Sequence, residues 1–290
     1  MLYLIRGMKL ELNKFDMKNI KSGSTILLIG KRNTGKSILC QDLFRYNTGW
    51  PVGIVISATE KANHFFEKFV PKMLIYDEFE PSIIQKFLDR QEKITNQYEA
   101  EIKKYGRTDL DPRAFLVLDD CLYDKTWPND RNIRALFMNG RHYNVTFIIT
   151  MQYSMGIPPI LRSNIDYVFI LRDPILKNQE RLYNQYAGMF PSFEIFRQVF
   201  TQCTENYECL LVDNKVQSNQ LSNQVYWYKA DVSCNFRVCS SELWDIQERD
   251  QERRAFGMAD EPDDEEDYDV MVINKRKNKN APVIKVKRNT

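Results

Sequence analysis

The sequence predicts an α/β fold in which a mainly parallel sheet carries helices on both faces. Segments typical of strands alternate with segments typical of helices from residue 25 to residue 171, which is the pattern of parallel-sheet proteins. The strand segments TILLI, VGIVI, FLVLD, VTFIIT and YVFIL are almost uniformly apolar, as expected of strands covered on both sides. The motif GKRNTGKS follows the first of these strands directly and leads into the first helical segment.

The individual elements follow from apolar spacing. Strands are predicted at 25–29, 52–57, 115–119, 145–150 and 166–171, and helices at 36–46, 82–105, 131–139, 175–186 and 192–200. Two further strand-like segments, ECLLVD and VYWYKA, extend the sheet. The 82–105 segment combines an apolar stripe with a face rich in Lys and Glu, so it either packs on the sheet edge or contacts another subunit.

Composition indicates one large α/β domain followed by a tail. The chain has 290 residues, of which 43% are hydrophobic and 28% charged, values that are ordinary for a protein with a buried core. The apolar N-terminal stretch is too short for a signal peptide, and no apolar segment approaches a membrane span. The net charge of +2 neither requires nor excludes a nucleic-acid partner.

The six cysteines include no C-x-x-C pair. In the absence of a secretory signal, this pattern favours reduced thiols in a cytosol-like compartment. Cys234 and Cys239 are poorly spaced for zinc, and both histidines lie far away in the sequence, so we do not expect a zinc site.

The composition changes near Glu248, where charge blocks begin to dominate. DEPDDEEDYD occupies 260–269, and KRKNK and KVKR follow. Such blocks bury too little apolar surface to order themselves. We therefore predict one folded domain over 1–247, which contains the GKRNTGKS motif, and a mostly disordered tail over 248–290. The basic end is either a solvated tail or a segment for DNA contact, nuclear localisation or partner docking.

The motif at 30–37 is a complete phosphate-binding loop. It predicts that the nucleotide-binding residues are Gly30, Lys31, Arg32, Asn33, Thr34, Gly35, Lys36 and Ser37. In such a loop, backbone N–H groups hold the β-phosphate, the lysine reaches the β- and γ-phosphates, and the hydroxyl binds Mg²⁺. The following helix points its positive end at the anion. ATP and Mg²⁺ are therefore the expected ligands.

Two carboxylates and an amide complete the candidate site. Asp119 and Asp120 end the FLVLDD strand, where Asp119 organises Mg²⁺ and Asp120 takes the position of the catalytic base. That position usually holds Glu, so Asp120 is one methylene shorter; the alternative is a surface pair that caps a loop. Gln152 shares a strand face with Thr150 and is a candidate γ-phosphate sensor, unless it only pairs with backbone.

Arginines near this strand are candidates for completing the site of a neighbouring subunit. Gly140 is predicted to cap a helix, and Arg141 follows it in NGRHYN. Arg141 is a candidate arginine finger, although it alternatively interacts with the helix C-terminal carbonyls. Arg162 in PPILRSNID is a second candidate finger.

Taken together, these motifs resemble one family. The matching segments, in order, are GKRNTGKS, VISATEKANHFF, VPKMLIYDEFE, FLVLDD, NGRHYNVTFIITMQY and LRSNIDYVFIL. The set looks like the DNA-packaging ATPases of nucleocytoplasmic large DNA viruses, members of the FtsK–HerA superfamily, over roughly residues 20–230. The phosphate loop is generic, whereas NGRH leading into a strand that ends in Thr-x-Gln, followed by LRSNIDYVF, is more specific.

The resemblance implies a RecA-like P-loop NTPase domain of the additional-strand class. It also implies a homo-oligomeric ring that drives double-stranded DNA, without sequence preference, into a preformed capsid. By the same resemblance, Lys36 and Ser37 bind phosphate and Mg²⁺, and Asp119, Asp120 and Gln152 take the Mg²⁺, base and sensor positions. The residues alone leave three alternatives open, namely a translocase that serves segregation or end-processing, a small-molecule kinase, and a nucleotide-gated scaffold without turnover.

Overall fold

The computed structural model describes residues 2–5, 8–121, 126–231 and 235–255. Its strands are β1 (Leu2–Ile5), β2 (Met8–Glu11), β3 (Thr25–Ile29), β4 (Val52–Ser57), β5 (Ile75–Tyr76), β6 (Ala114–Asp119), β7 (Val145–Met151), β8 (Tyr167–Ile170), β9 (Glu208–Asp213) and β10 (Val225–Lys229). Its helices are α1 (Lys36–Tyr46), α2 (Glu60–Asn63), α3 (Pro81–Tyr105), α4 (Arg131–Asn139), α5 (Pro159–Arg162), α6 (Leu176–Tyr186), α7 (Phe193–Cys203), α8 (Leu221–Gln224) and α9 (Ser241–Ala255).

Eight strands form one sheet in the order β10-β9-β8-β3-β7-β6-β4-β5. Six strands run parallel, namely β5, β4, β6, β7, β3 and β8. Strand β9 is antiparallel to β8, and β10 is antiparallel to β9. Strand β7 lies between the phosphate-loop strand β3 and the carboxylate strand β6. This inserted strand confirms the predicted additional-strand class, and it places the ends of β3, β7 and β6 side by side.

Helices cover both faces because the connections run in two directions. The chain passes from β3 to β4 in one direction along the sheet, then returns through β6 and β7 to β8 in the other. Right-handed crossovers place helices from opposite directions on opposite faces. Helix α1 therefore lies on one face, and α3 and α4, which contact each other, lie on the other.

The predicted strands and helices of the central sheet form because burial decides both. Every residue of β3, β4, β6 and β7 is buried, which accounts for their continuous apolar composition. Helix α4 begins at the cap Asp130, whose carboxylate accepts hydrogen bonds from two backbone N–H groups. Its buried side chains are Ile133, Leu136 and Phe137, at the spacing of one helical face.

Helix α3 is packed in its first half and exposed at its end. Ile84, Phe87 and Leu88 are buried, whereas Ile102 and Tyr105 are exposed. The first half therefore follows the prediction of a helix packed on the sheet. The second half keeps the alternative of a subunit contact.

One sequence-based expectation is confirmed and another needs correction. Gly140 ends α4 as predicted, with a right-handed φ of −51°; glycine fits there because a Cβ would lie 2.6 Å from the carbonyl oxygen of Leu136. The boundary predicted at 248 falls inside α9, which continues to Ala255, so residues 248–255 are helical and not disordered. The rest of the predicted tail, 256–290, lies outside the described residues, as does Cys234.

The other cysteines, Cys40, Cys121, Cys203, Cys209 and Cys239, are free thiols. Over the described residues, no group of three or more His, Cys, Asp or Glu side chains is placed to hold a metal ion. None of the described helices combines the length and apolar character that a membrane crossing needs.

Candidate functional site

The phosphate loop connects the end of β3 to the start of α1 at the edge of the sheet where the parallel strands end, here called the carboxyl edge. Gly30 donates its backbone N–H to the carbonyl of Met151 at 3.0 Å, which ties the loop to β7. Gly35 has a φ of +99°, a left-handed conformation that favours glycine. The helix therefore starts at Lys36 with its first N–H groups at the loop, as an anion site requires.

Gly30 leaves no room for a side chain. A Cβ at this position would lie 2.7 Å from the Cβ of Leu171 and 2.8 Å from Oγ1 of Thr34. Thr34 in turn donates its hydroxyl to the carbonyl of Lys31 at 2.7 Å, which closes the turn. The loop is thus a tight backbone cradle, the form that a phosphate group fits.

Lys36 is buried and held by the loop itself. Its Nζ donates to the carbonyl oxygens of Gly30 at 2.8 Å and Lys31 at 3.2 Å. Burial lowers the pKa of Lys36, and the nearby charges of Asp120 and Asp119 oppose that effect. An ammonium group has three N–H donors, so one donor remains for a phosphate oxygen.

Lys31 links the loop to the next strand end. Its Nζ lies 3.4 Å from the carboxylate of Asp173, which is buried. Asp173 also accepts hydrogen bonds from the backbone of Ile175 and the side chain of Asn178, both at 2.9 Å. The start of α6 is therefore fixed relative to the loop, a link that the sequence analysis missed because the two residues lie far apart in the chain.

Asp119 is buried at the end of β6 and accepts two side-chain hydrogen bonds. Ser57 donates its hydroxyl to Oδ2 at 2.8 Å, and Thr150 donates to Oδ1 at 2.7 Å. Burial raises the pKa of Asp119, the hydrogen bonds from Thr150 and Ser57 lower it, and the charge of Asp120 raises it further. Ser57 was not among the predicted site residues, although its position as the polar end of an apolar strand was an available signal.

Asp120 follows with a left-handed φ of 50°, which is uncommon for a residue with a side chain and clusters at functional sites. Its N–H donates to the hydroxyl of Thr150 at 3.0 Å. Its Oδ2 accepts from Nε2 of Gln152 at 2.8 Å. Its Oδ1 is buried and has no hydrogen-bond partner among the described residues. A buried carboxylate oxygen of this kind requires a donor or a cation.

The residues fit a Mg²⁺–nucleotide complex on these observations. Oxygen ligands are what Mg²⁺ prefers, with water and substrate phosphates supplying much of its coordination. Ser37 lies in the first turn of α1, one residue after Lys36. The charges of Asp119 and Asp120 both act on Lys36, so β3, β7 and β6 bring the predicted phosphate, metal, base and sensor residues to one place.

The two predicted arginine candidates make their contacts with other parts of the chain. A Cβ on Gly23, before the start of β3, would lie 3.0 Å from Cα of Arg141. Arg141 is therefore at the opposite edge of the sheet from the loop, a strand length or about 17 Å away, and it does not reach the loop of the same chain. Arg162 donates to the carbonyl of Ile157 at 3.1 Å and lies over the ring of Tyr186, so its guanidinium is engaged by residues of the same chain.

Relatives of the chain occur in viruses. It is 38% identical over 223 residues to "Uncharacterized protein L437" of Acanthamoeba polyphaga mimivirus, which covers 77% of this chain and 78% of that protein. It is 40% identical over 216 residues to "Uncharacterized protein 075L" of Invertebrate iridescent virus 6, with coverage of 74% and 80%. The chain belongs to the family of L437 and 075L. A scan against protein-family models found no match.

Solved structures whose folds are similar to that of this chain include an ATPase and a protein solved with an ATP analogue. One is B204, the DNA-packaging ATPase from Sulfolobus turreted icosahedral virus, with a TM-score of 0.49, 15% identity, and coverage of 73% of this chain and 100% of that one. The other is the pCW3 conjugation coupling protein TcpA with ATPγS, with a TM-score of 0.47, 15% identity, and coverage of 85% and 67%. The fold of the L437/075L family member is established by its own strand order and phosphate loop.

Proposed function

We propose that the protein is an ATPase that translocates double-stranded DNA and packages a viral genome into a preformed capsid. The observation that carries the ATPase activity is the cluster at the carboxyl edge, where the phosphate loop, Asp119, Asp120 and Gln152 meet on three adjacent strands. A role in viral packaging is supported by the motif resemblance to packaging ATPases and by the viral origin of L437 and 075L.

In the proposed reaction, the loop amides and Lys36 hold the β- and γ-phosphates. Ser37 and Asp119 would hold Mg²⁺, which neutralises charge on the phosphate oxygens. Asp120 uses its unpartnered Oδ1 to orient a water molecule and accept its proton. The water oxygen bonds to the γ-phosphorus while the bond to the β–γ bridging oxygen breaks, which releases ADP and phosphate.

We propose two roles for Gln152. It positions the short side chain of Asp120, and it senses the nucleotide. Its amide holds Oδ2 of Asp120, which leaves Oδ1 as the working oxygen. The same amide nitrogen has a second N–H, which would donate to a γ-phosphate oxygen. A shift of Gln152 toward the γ-phosphate would change the position of the loop after β7, and a contact present only with the γ-phosphate is what a switch requires.

The remaining parts of the proposal concern assembly and location. We infer a homo-oligomeric ring in which Arg141 enters the site of a neighbouring subunit, with DNA bound without sequence preference and the capsid or its portal region as partner. No soluble small-molecule acceptor is expected. The proposed location is the cytoplasmic viral factory of the infected cell, with association with the virion as the alternative.

The test is steady-state ATP hydrolysis with and without double-stranded DNA. Hydrolysis stimulated by DNA in the wild type, lost in Lys36→Ala and retained in Lys104→Ala, supports the translocase; Lys104 lies in the exposed last turn of α3. Nucleotide binding without hydrolysis in a sample that size measurement shows to be assembled would instead indicate a scaffold. Transfer of phosphate to an added acceptor would indicate a kinase.

A further inference from the structure

A strained turn lies beside the phosphate loop and presents an exposed aromatic ring. Strand β9 is antiparallel to β8, so β9 begins at the carboxyl edge where β8 ends. The turn before it contains Asn206 with a φ of 51° and Tyr207 with a φ of 64°. Two consecutive left-handed residues with side chains are uncommon, and such conformations cluster at functional sites. Tyr207 is 71% exposed.

The ring of Tyr207 lies beside the phosphate loop. A Cβ added at Gly35 would lie 3.6 Å from Cδ1 of Tyr207, so the space next to this glycine is bordered by the ring. Glu208 donates its N–H to the carbonyl of Glu205 at 2.9 Å, and this hydrogen bond closes the turn that carries Tyr207. The turn therefore places an exposed tyrosine next to the last glycine of the loop.

A cavity of about 210 Å³ lies between this turn and the first turn of α1. Its walls include Gly35, Ile38, Leu171, Tyr207 and Cys209. Leu171 and Cys209 are each only 2% exposed, and burial raises the pKa of the Cys209 thiol far above its usual range, so this wall stays uncharged. Among the described residues, Lys229 supplies the only charged side chain at the cavity.

The cavity adjoins the phosphate site because Gly35 belongs to both. A nucleotide whose phosphates lie in the loop must place its ribose and base on one side of the loop. The cavity is apolar, has an aromatic wall and opens at the last loop residues, which suits a flat heterocycle and does not suit a second phosphate. We propose that Tyr207 stacks on the nucleobase of the bound nucleoside triphosphate. This base subsite rests on the proposed function, because it requires a nucleotide in the phosphate loop.

The chemistry of the walls determines what this subsite selects. No carboxylate or carboxamide side chain lines the cavity in the described part of the chain, so a base is recognised by stacking and burial. Apolar pockets discriminate weakly between ligands that differ in a few polar groups. We therefore expect ATP and GTP to bind with affinities that differ by less than about a hundredfold.

The experiment compares two ligands on matched tyrosine variants of the full chain. Binding of ATP and of inorganic tripolyphosphate, which has no base, is measured for wild type, Tyr207→Ala, Tyr207→Phe and Tyr105→Ala. Tyr105 is a matched control because it is 63% exposed at the far end of α3. Loss of base stacking weakens binding by roughly tenfold. We expect that loss for ATP in Tyr207→Ala alone, with tripolyphosphate unchanged in every variant.

Three kinds of result distinguish failure of the base subsite from failure of the proposed function. Unchanged ATP affinity in Tyr207→Ala, or an equal loss of tripolyphosphate affinity, would overturn the stacking role. A preference of more than about a hundredfold between ATP and GTP in the wild type would overturn recognition by an apolar cavity. Failure of the wild type to bind ATP, or equal binding by Lys36→Ala, would instead refute the nucleotide site itself.

Discussion

Replacing Thr150 with valine removes one hydroxyl that serves both carboxylate residues of the site. The Thr150 hydroxyl donates to Oδ1 of Asp119 at 2.7 Å and accepts from the N–H of Asp120 at 3.0 Å. Valine has nearly the same shape, so the core around β7 stays packed. The substitution therefore isolates the two hydrogen bonds from the effect of a cavity.

The magnitude follows from the two bonds. A hydrogen bond to a charged group contributes about 1.5–3 kcal/mol. Loss of the hydrogen bond from the N–H of Asp120 to the Thr150 hydroxyl costs little, because the same N–H still donates to the carbonyl of residue 150 at 3.3 Å. We expect the free energy of unfolding to fall by about 2 kcal/mol. The pKa of Asp119 rises further, since its hydrogen bond from Thr150 lowers that pKa. If Asp119 holds Mg²⁺, loss of this support weakens Mg²⁺ binding by about 10–100-fold.

Thr146→Val is the matched control because Thr146 lies on the same strand and is equally buried, at 1% exposure. Its hydroxyl accepts the N–H of Gly23 at 3.1 Å and lies near the beginning of β7, away from Asp119, so about 1 kcal/mol should be lost without any effect on Mg²⁺ binding. Urea unfolding measures stability, and a Mg²⁺ titration of nucleotide binding measures the site. Equal Mg²⁺ affinity in the two variants would refute the link between Thr150 and the metal.

Three further predictions concern other parts of the molecule. Burial raises the pKa of Asp119, so the contribution of this carboxyl to stability is present at low pH and is lost as pH rises through the folded pKa. Asp119→Asn should therefore stabilise the nucleotide-free protein at neutral pH by about 0.5–2 kcal/mol, as measured by thermal unfolding. The same variant should not hydrolyse ATP, as measured by phosphate release. Gly140→Ala should lower the free energy of unfolding by about 1–3 kcal/mol because the new Cβ would lie 2.6 Å from a carbonyl oxygen. Gly188→Ala is the control: its Cβ would have no atom within 4 Å, so its urea unfolding midpoint should equal that of the wild type. Arg141→Ala should reduce hydrolysis by about 10³-fold or more in the assembled state and leave ATP binding by the isolated subunit unchanged; wild-type turnover would eliminate the finger role.

The sequence predicted the elements well where burial is continuous. Helix α1 and strands β3 and β4 have the predicted bounds, because a fully covered strand is apolar at every position and a phosphate loop fixes where its helix starts. The hairpin of β1 and β2, the two-residue β5 and the helix α9 were not predicted. Short elements and a charged helix carry little periodicity, so only contacts made in the fold reveal them.

The sequence named side chains that the fold brings together, but it did not identify the residues that hold them in place. Asp119, Asp120 and Gln152 carry a signal because each polar residue ends an apolar strand. The hydrogen bond from Ser57 to Asp119 and the ion pair of Lys31 with Asp173 depend on which strands become neighbours. A local pattern does not specify that order, since β4 pairs with β6 and β3 with β7 only after the chain has crossed over the sheet.

The position of Arg141 constrains how a ring can assemble. Arg141 lies at the edge of the sheet where β7 begins, and the phosphate loop lies at the carboxyl edge. A finger role therefore requires the beginning edge of one subunit to meet the carboxyl edge of the next. That contact is head-to-tail, and repeated head-to-tail contacts close into a ring when the rotation between subunits permits it. The carboxyl edge also presents Tyr153, Met155 and Leu176, each about half exposed, so the same edge that would receive the arginine offers apolar surface for the subunit that carries it.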